Sequence, residues 1–140
     1  MNTARSPLKV VLAIGSLGPG GAEKQLAKLA IALKASRHEV KILLPDYLNS
    51  SLEGNDRHFA ADILNSGITI KYAGRSSSGL SEPHKQIKLE SLERDIDFLS
   101  PYIKSLVVGY ILEFIEDKPD VVHAWLDATN VYAGLAAVLT

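Results

Sequence analysis

The sequence predicts an α/β fold of the Rossmann-like kind, a three-layer sandwich with a mostly parallel sheet and helices on both of its faces. Three observations carry that expectation. Short apolar runs rich in β-branched residues alternate with helical stretches of ten or more residues, which makes right-handed βαβ units the natural topology. The first of those runs ends in a glycine-rich turn that leads straight into a helix. The apolar residues come in blocks between polar turns, in 140 residues that are 46% hydrophobic and 22% charged. That length closes one core and is the size of one domain.

Taken in order, residues 8–14 (LKVVLAI) read as a first strand buried on both faces. Residues 22–36 place Leu26, Leu29, Ala30 and Leu33 on one helical stripe, with Lys24, Lys28, Lys34 and Arg37 largely outside it. Residues 39–44 (EVKILL) form a second strand, closed by Pro45, so Asp46 stands at its carboxyl edge. A short helix is expected over 57–66 from Phe59, Ile63 and Leu64, with Gly67 ending it in a left-handed conformation. A third strand follows at 68–72. The Ser- and Gly-rich segment 74–83 has no periodicity and reads as a loop. Leu89, Leu92, Ile96, Leu99 and Ile103 then recur at helical spacing to about Asp117, with Pro101 kinking or restarting the helix near Ser100. Residues 120–124 (DVVHA) form a fourth strand, and 129–139 a last helix. Residues 136–140 end the chain inside an apolar helical pattern without a cap or a polar tail, which reads as a domain cut at its C-terminus.

Fifteen Lys and Arg against sixteen Asp and Glu leave a net charge of −1, so no overall field draws the chain to nucleic acid. The absence of Cys excludes disulfides and thiolate metal ligands and fits a reducing compartment, with the cytoplasm as the default. The run at 10–14 is too short for a signal peptide and leads into glycines. Glu113 and Glu116 interrupt the best candidate for a membrane span. The basic residues of the first helix form a solvated face, or a site of peripheral contact with lipid head groups.

In open parallel sheets, ligands bind beyond the carboxyl ends of the strands. After the first strand comes GSLGPGGAEK, where Gly15, Gly18, Gly20 and Gly21 surround Pro19 just before a helix. Glycines there allow positive φ and close backbone approach, and a helix N-terminus offers free N–H groups to a phosphate. The alternative is a flexible connection that binds nothing. A dinucleotide fingerprint starting at Gly18 would need a glycine at Glu23, although Asp46 could pass as its ribose-binding acid. A P-loop starting at Gly15 would need Lys and a hydroxyl residue where Gly21 and Ala22 stand.

At the end of the fourth strand, His123, Trp125, Asp127, Thr129 and Asn130 lie within eight residues. The imidazole suits proton transfer, and the carboxylate can act as base or orienter. Alternatively, His123 is a buried strand histidine satisfied by a carbonyl, Asp127 caps the last helix, and Trp125 is core rather than a sugar platform. His38, His58 and His84 lack metal-ligand spacing, so no metal site is expected.

Two segments, LKVVLAIGSLGPGGAEKQLAKLAIALKASRHEVKILL and KPDVVHAWLDATNVYAGLAAVLT, resemble the N-terminal domain of family 4 glycosyltransferases of the GT-B fold. The most specific part is the proline-glycine-glycine-acid loop, which ends in Glu23, paired with a histidine after the PDVV strand. The resemblance implies a retaining transferase that moves a sugar from a nucleotide-sugar to a glycan, lipid or polysaccharide-precursor acceptor. It needs no bound metal and works in a cleft between two Rossmann-like domains. Residues 1–140 would be the acceptor-side domain, cytoplasmic or peripheral at the inner membrane face, with the donor-binding half absent. Gly20 and Gly21 would lie against the donor diphosphate, with Gly18, Glu23, Trp125 and Asn130 also contacting substrate and His123 and Asp127 as catalytic candidates. Many members carry a functional histidine two residues further on, where this chain has Trp125. The competing classes are a dinucleotide-binding oxidoreductase domain and a non-catalytic α/β interaction module.

Overall fold

The apolar run around Val10 becomes strand β1 (Lys9–Ala13), and the amphipathic stretch after the glycine turn becomes helix α1 (Gly21–Ala35). β2 (Glu39–Leu44), α2 (Ala60–Asn65), β3 (Thr69–Tyr72), α3 (Pro83–Asp95), α4 (Pro101–Asp117), β4 (Val121–Ala124) and α5 (Asp127–Leu139) follow. The computed structural model describes residues 6–47, 57–74 and 80–140, and residues 75–79 of the Ser- and Gly-rich segment lie outside them.

All four strands are parallel, in the order β3-β2-β1-β4. Successive side chains of a strand point to opposite faces, and this alternation divides the core in two. Val10, Leu12 and Ile14 join Val40, Ile42 and Leu44 beneath α1 and α2. Val11, Ala13 and Leu43 pack on the other face against Leu89 and Leu92 of α3, Val107 and Ile111 of α4, and Ala133 and Ala136 of α5. The expected three-layer α/β sandwich is therefore present, and its sheet is wholly parallel.

Proline and glycine explain where elements stop. β2 ends at Leu44, where Pro45 withholds an N–H. Gly67 adopts φ +76° after α2, the left-handed conformation expected of it. The helical register from Leu89 to Asp117 does not merely kink but splits into α3 and α4, with Ser100 as N-cap and Pro101 in the first helical position, where its missing N–H has no partner to lose. α5 begins at Asp127, two residues before the start expected from the pattern.

α4 sits unusually close to the end of β3. A Cβ on Gly109 would stand 2.7 Å from the Ala73 carbonyl oxygen, and one on Gly74 would stand 2.9 Å from the Gly109 Cα. Gly74 also has φ +83°, which an L side chain rarely adopts. Glu113, one turn further along α4, accepts from Lys71 Nζ (3.1 Å) and from the Gly74 N–H (3.3 Å). Its buried carboxylate is thus both paired and hydrogen-bonded, the condition for tolerating a charge at that depth. Lys41 of β2 makes a second ion pair to Asp117 at the end of α4. Burial, aided by the Lys71 ammonium nearby, lowers the Lys41 pKa from its ordinary value.

Gly109→Ala forces methyl against backbone that has no free rotor to yield. It should lower the unfolding free energy by about 1–3 kcal/mol in denaturant titration, and an unchanged midpoint would show that α4 can move away at no cost. Tyr110 is fully buried on α4, and its hydroxyl finds no hydrogen-bond partner among the described residues. Burial pushes its pKa well above the ordinary tyrosine value. The folded state thus holds the neutral phenol, and this contribution to stability is complete below the unfolded value of about 10 and is lost as pH rises above it. Tyr110→Phe should leave stability at neutral pH equal or higher. It should also flatten the alkaline decline seen by circular dichroism, and an unaltered decline would assign that decline to other groups.

Candidate functional site

β1, β2 and β3 extend the sheet in one direction and β4 extends it in the other, so the strand order reverses between β1 and β4. A crevice opens beyond the carboxyl ends of the strands at such a reversal. Both segments singled out in the sequence flank it.

On the β1 side, Leu17 is fully buried and anchors the loop, and its carbonyl accepts from the Phe59 N–H (3.3 Å). The Gly20 N–H donates to the Gly18 carbonyl (2.9 Å) across Pro19, a three-residue turn for which the fixed φ of proline is suited. Gly20 is then the N-cap of α1, extended and without a side chain to cap it, and the helix opens with Lys24 N–H donating to the Gly20 carbonyl (3.1 Å). The first-turn N–H groups at Gly21, Ala22 and Glu23 have no intrahelical acceptor.

The expected left-handed glycines are absent from this loop. Gly67 and Gly74 have positive φ among the described residues, whereas Gly15, Gly18, Gly20 and Gly21 do not. What glycine provides here is space. A Cβ on Gly21 would meet nothing within 4 Å, and one on Gly20 would collide only with the Glu23 carboxylate, which lies over the turn. Glu23 thus puts a negative charge close to the positive end of α1, a favourable arrangement of a few tenths to about 1 kcal/mol.

On the β4 side, the register sets Leu12 beside His123 and Ala13 beside Ala124, and the Trp125 N–H donates to the Ala13 carbonyl (2.8 Å). His123 and Trp125, two residues apart, share the α1 side of the sheet. Their rings stack with centroids 4.9 Å apart and planes 30° apart. His123 is exposed, so it is not the buried, carbonyl-satisfied strand histidine that was the alternative. Trp125 is half-buried against the core beneath α1, and its Nε1–H is enclosed without an acceptor among the described residues. The indole therefore works as a shelf that orients the imidazole, and the face it gives to His123 is not available to a sugar.

Asp127 does not cap α5. It is the first helical residue, and Leu126 occupies the N-cap with φ 70°, ψ 159°, a region essentially reserved for glycine that costs roughly 1–3 kcal/mol. Asn130 is exposed one turn on, while Thr129 is buried and its Oγ1 comes within 3.7 Å of where a Gly15 Cβ would stand. Gly18, Gly20, Gly21 and Glu23 thus follow the carboxyl end of β1. His123, Trp125, Asp127 and Asn130 stand at and just after the carboxyl end of β4.

The remaining histidines lie elsewhere. His38 Nδ1 accepts from the Leu8 N–H (3.1 Å), His58 packs edge-on to Phe59 (4.6 Å), and His84 is 3.3 Å from a Glu82 oxygen. No group of three or more metal-ligating side chains exists among the described residues, and no described helix is long and apolar enough to cross a membrane. Sequence reasoning missed the strain at Leu126 and the packing role of Thr129, and neither residue type signals it. Set against protein-family models, curated proteins and solved structures, the chain matches none of them.

Leu126→Gly should raise stability by about 1 kcal/mol, the relief of strain outweighing the added freedom of the unfolded chain. A lower melting temperature would show that the leucine side chain contributes more than its backbone costs.

Proposed function

We propose that this chain is the acceptor-side, N-terminal domain of a retaining, cytoplasmic glycosyltransferase that takes a sugar from a nucleotide-sugar and passes it to a glycan or lipid-linked acceptor. It would act together with a C-terminal donor-binding domain. The observation that carries the reading is the meeting of an uncapped, sterically open glycine turn with an exposed imidazole across one strand reversal. The α1 N–H groups at Gly21 and Ala22 are suited to the charge that grows on a leaving diphosphate, since preorganised backbone donors cost no reorganisation as the charge develops. Glu23 would have to swing aside as that phosphate arrives. His123, held on Trp125, is the group available to take a proton from the acceptor hydroxyl, and Asp127 would bind or orient the acceptor. Exposed Lys24 and Lys28 on α1, with Arg37 in the turn after it, suit peripheral contact with anionic lipid.

The loop can offer a nucleotide-sugar two or three backbone hydrogen bonds of roughly 1 kcal/mol each, which leaves affinity on the order of millimolar or weaker after the lost freedom of the ligand is counted. Calorimetry with several nucleotide-sugars should give that weak binding, with amide resonances from Gly18 to Lys24 shifting first. Glu23→Gln should strengthen the binding by removing a competing anion. A micromolar dissociation constant would place the donor site in this domain, tighter binding of NAD would favour a dinucleotide-binding role, and shifts confined to other surfaces would remove the glycine turn from the proposal.

A further inference from the structure

Tyr47, Tyr102, Tyr110 and Tyr132 gather toward the carboxyl end of the sheet, on the face covered by α4 and α5. α4 runs back against the strand direction, so that Asp117 meets Lys41 within β2 and Gly109 meets Ala73 just past β3. Tyr102, about two turns before Gly109, therefore stands beyond the strand ends, and it is 50% exposed. Tyr47 follows β2, where its N–H donates back to the Pro45 carbonyl (3.0 Å). Tyr110 is buried in the core of that face, and Tyr132 of α5 packs against the same core. Burial raises the Tyr47 pKa, and the Tyr132 and Tyr102 phenols raise it further. Tyr47 and Tyr132 likewise add to what burial does at Tyr110. Such effects act between phenol oxygens, so it is the hydroxyl ends that converge.

Two properties of the cluster point to its ligand. No Lys, Arg, Asp or Glu is among the groups that act on Tyr47 and Tyr110, so the cluster offers hydroxyls and rings without charge. The Tyr110 hydroxyl, moreover, is enclosed without a hydrogen-bond partner among the described residues. Left alone it contributes nothing to the fold, and it asks for a polar partner from outside. An acyl chain would leave the phenols stranded, and a phosphate would find no cation. A neutral sugar offers hydroxyls for the phenols and a C–H face for a ring.

We propose that this tyrosine cluster is a subsite for an uncharged sugar unit of the acceptor glycan. Tyr102 presents its ring to the sugar, and the Tyr47 and Tyr132 hydroxyls exchange hydrogen bonds with it. The Tyr110 hydroxyl is satisfied by a sugar hydroxyl, or by the Tyr47 or Tyr132 hydroxyl that the sugar turns toward it. The subsite rests on the reading of the chain as an acceptor-side domain, and it narrows that acceptor to a neutral glycan end.

Nuclear magnetic resonance of the chain with isotope-labelled tyrosine rings tests this, with maltotriose, cellotriose and chitotriose as probes and geranyl phosphate as the lipid comparison. At least one trisaccharide should shift the Tyr47, Tyr102 and Tyr132 rings with millimolar affinity. Tyr102→Ala should weaken that binding by about tenfold, and Tyr102→Phe should keep most of it. Tyr110→Phe, which removes one oxygen and leaves circular dichroism unchanged, should weaken it by about fivefold. The subsite is overturned if no trisaccharide moves these rings, if Tyr110→Phe binds as the parent does, or if geranyl phosphate alone moves them. Trisaccharide shifts at the tyrosines without nucleotide-sugar shifts at Gly18 to Lys24 would keep the glycan subsite and remove the donor role of the glycine turn. The opposite pattern would remove the subsite and keep the turn.

Discussion

Strand β1 is buried on both faces, from Val10 to Ala13, and this constraint organises the rest of the chain. A doubly buried strand needs a helix layer on each side, and a parallel neighbour can be reached only by a crossover. The first crossover, through α1, puts β2 on one flank. The chain then builds outward to β3 before α3 and α4 cover the opposite face and return it to the vacant flank as β4. The reversal of order at β1 is thus a consequence of packing, and it sets the carboxyl ends of β1 and β4 side by side before any chemistry is asked of them.

The second layer is held by charges as much as by apolar contact. Lys41 and Lys71 both rise from the sheet toward α4, and Asp117 and Glu113 descend to meet them. Two lysines on one buried face would repel and pay for desolvation. With two carboxylates at matching positions they become register marks that fix how α4 lies along the strands. Gly109 then lets the helix approach the carbonyl of Ala73, close enough for Glu113 to reach the Gly74 N–H. The helix carrying the orphan hydroxyl of Tyr110 is therefore positioned by polar contacts at its flanks rather than by perfect satisfaction at its centre.

The fold was legible where local chemistry decides it. Pro45 and Gly67 mark boundaries by what their backbones cannot or can do, and β2 falls on the residues its pattern indicates. The layered arrangement follows from one doubly buried run alternating with amphipathic helices. The division at residues 96–100 was less legible, because the apolar spacing of Leu89 to Ile103 continues across a break that only Pro101 announces. The candidate site was legible as a set of residue types near strand ends, but not as an arrangement. Nothing in a leucine codon position indicates φ 70° at 126, and the stacking of His123 on Trp125 depends on which sheet face β4 turns toward α1. The freedom expected of the loop glycines in φ is used at Gly74 and Gly67 instead, because tight turns and close helix approach require it there.

These arrangements define what the glycine turn can and cannot do. A helix N-terminus with free N–H groups attracts any anion, and the nearest anion is Glu23 on the same turn. On the proposed function, an incoming anion would have to displace that side chain. A diphosphate carries more charge than one carboxylate and can reach several N–H groups together, so it competes effectively, whereas a chloride or a single carboxylate has little to gain. Because Gly20 and Gly21 bear no side chains, the exchange needs only a rotation of Glu23 and no movement of backbone. On the proposed function, the glycines and the acid would form one device, in which the empty space above the turn supplies access and the carboxylate supplies selectivity against weak anions.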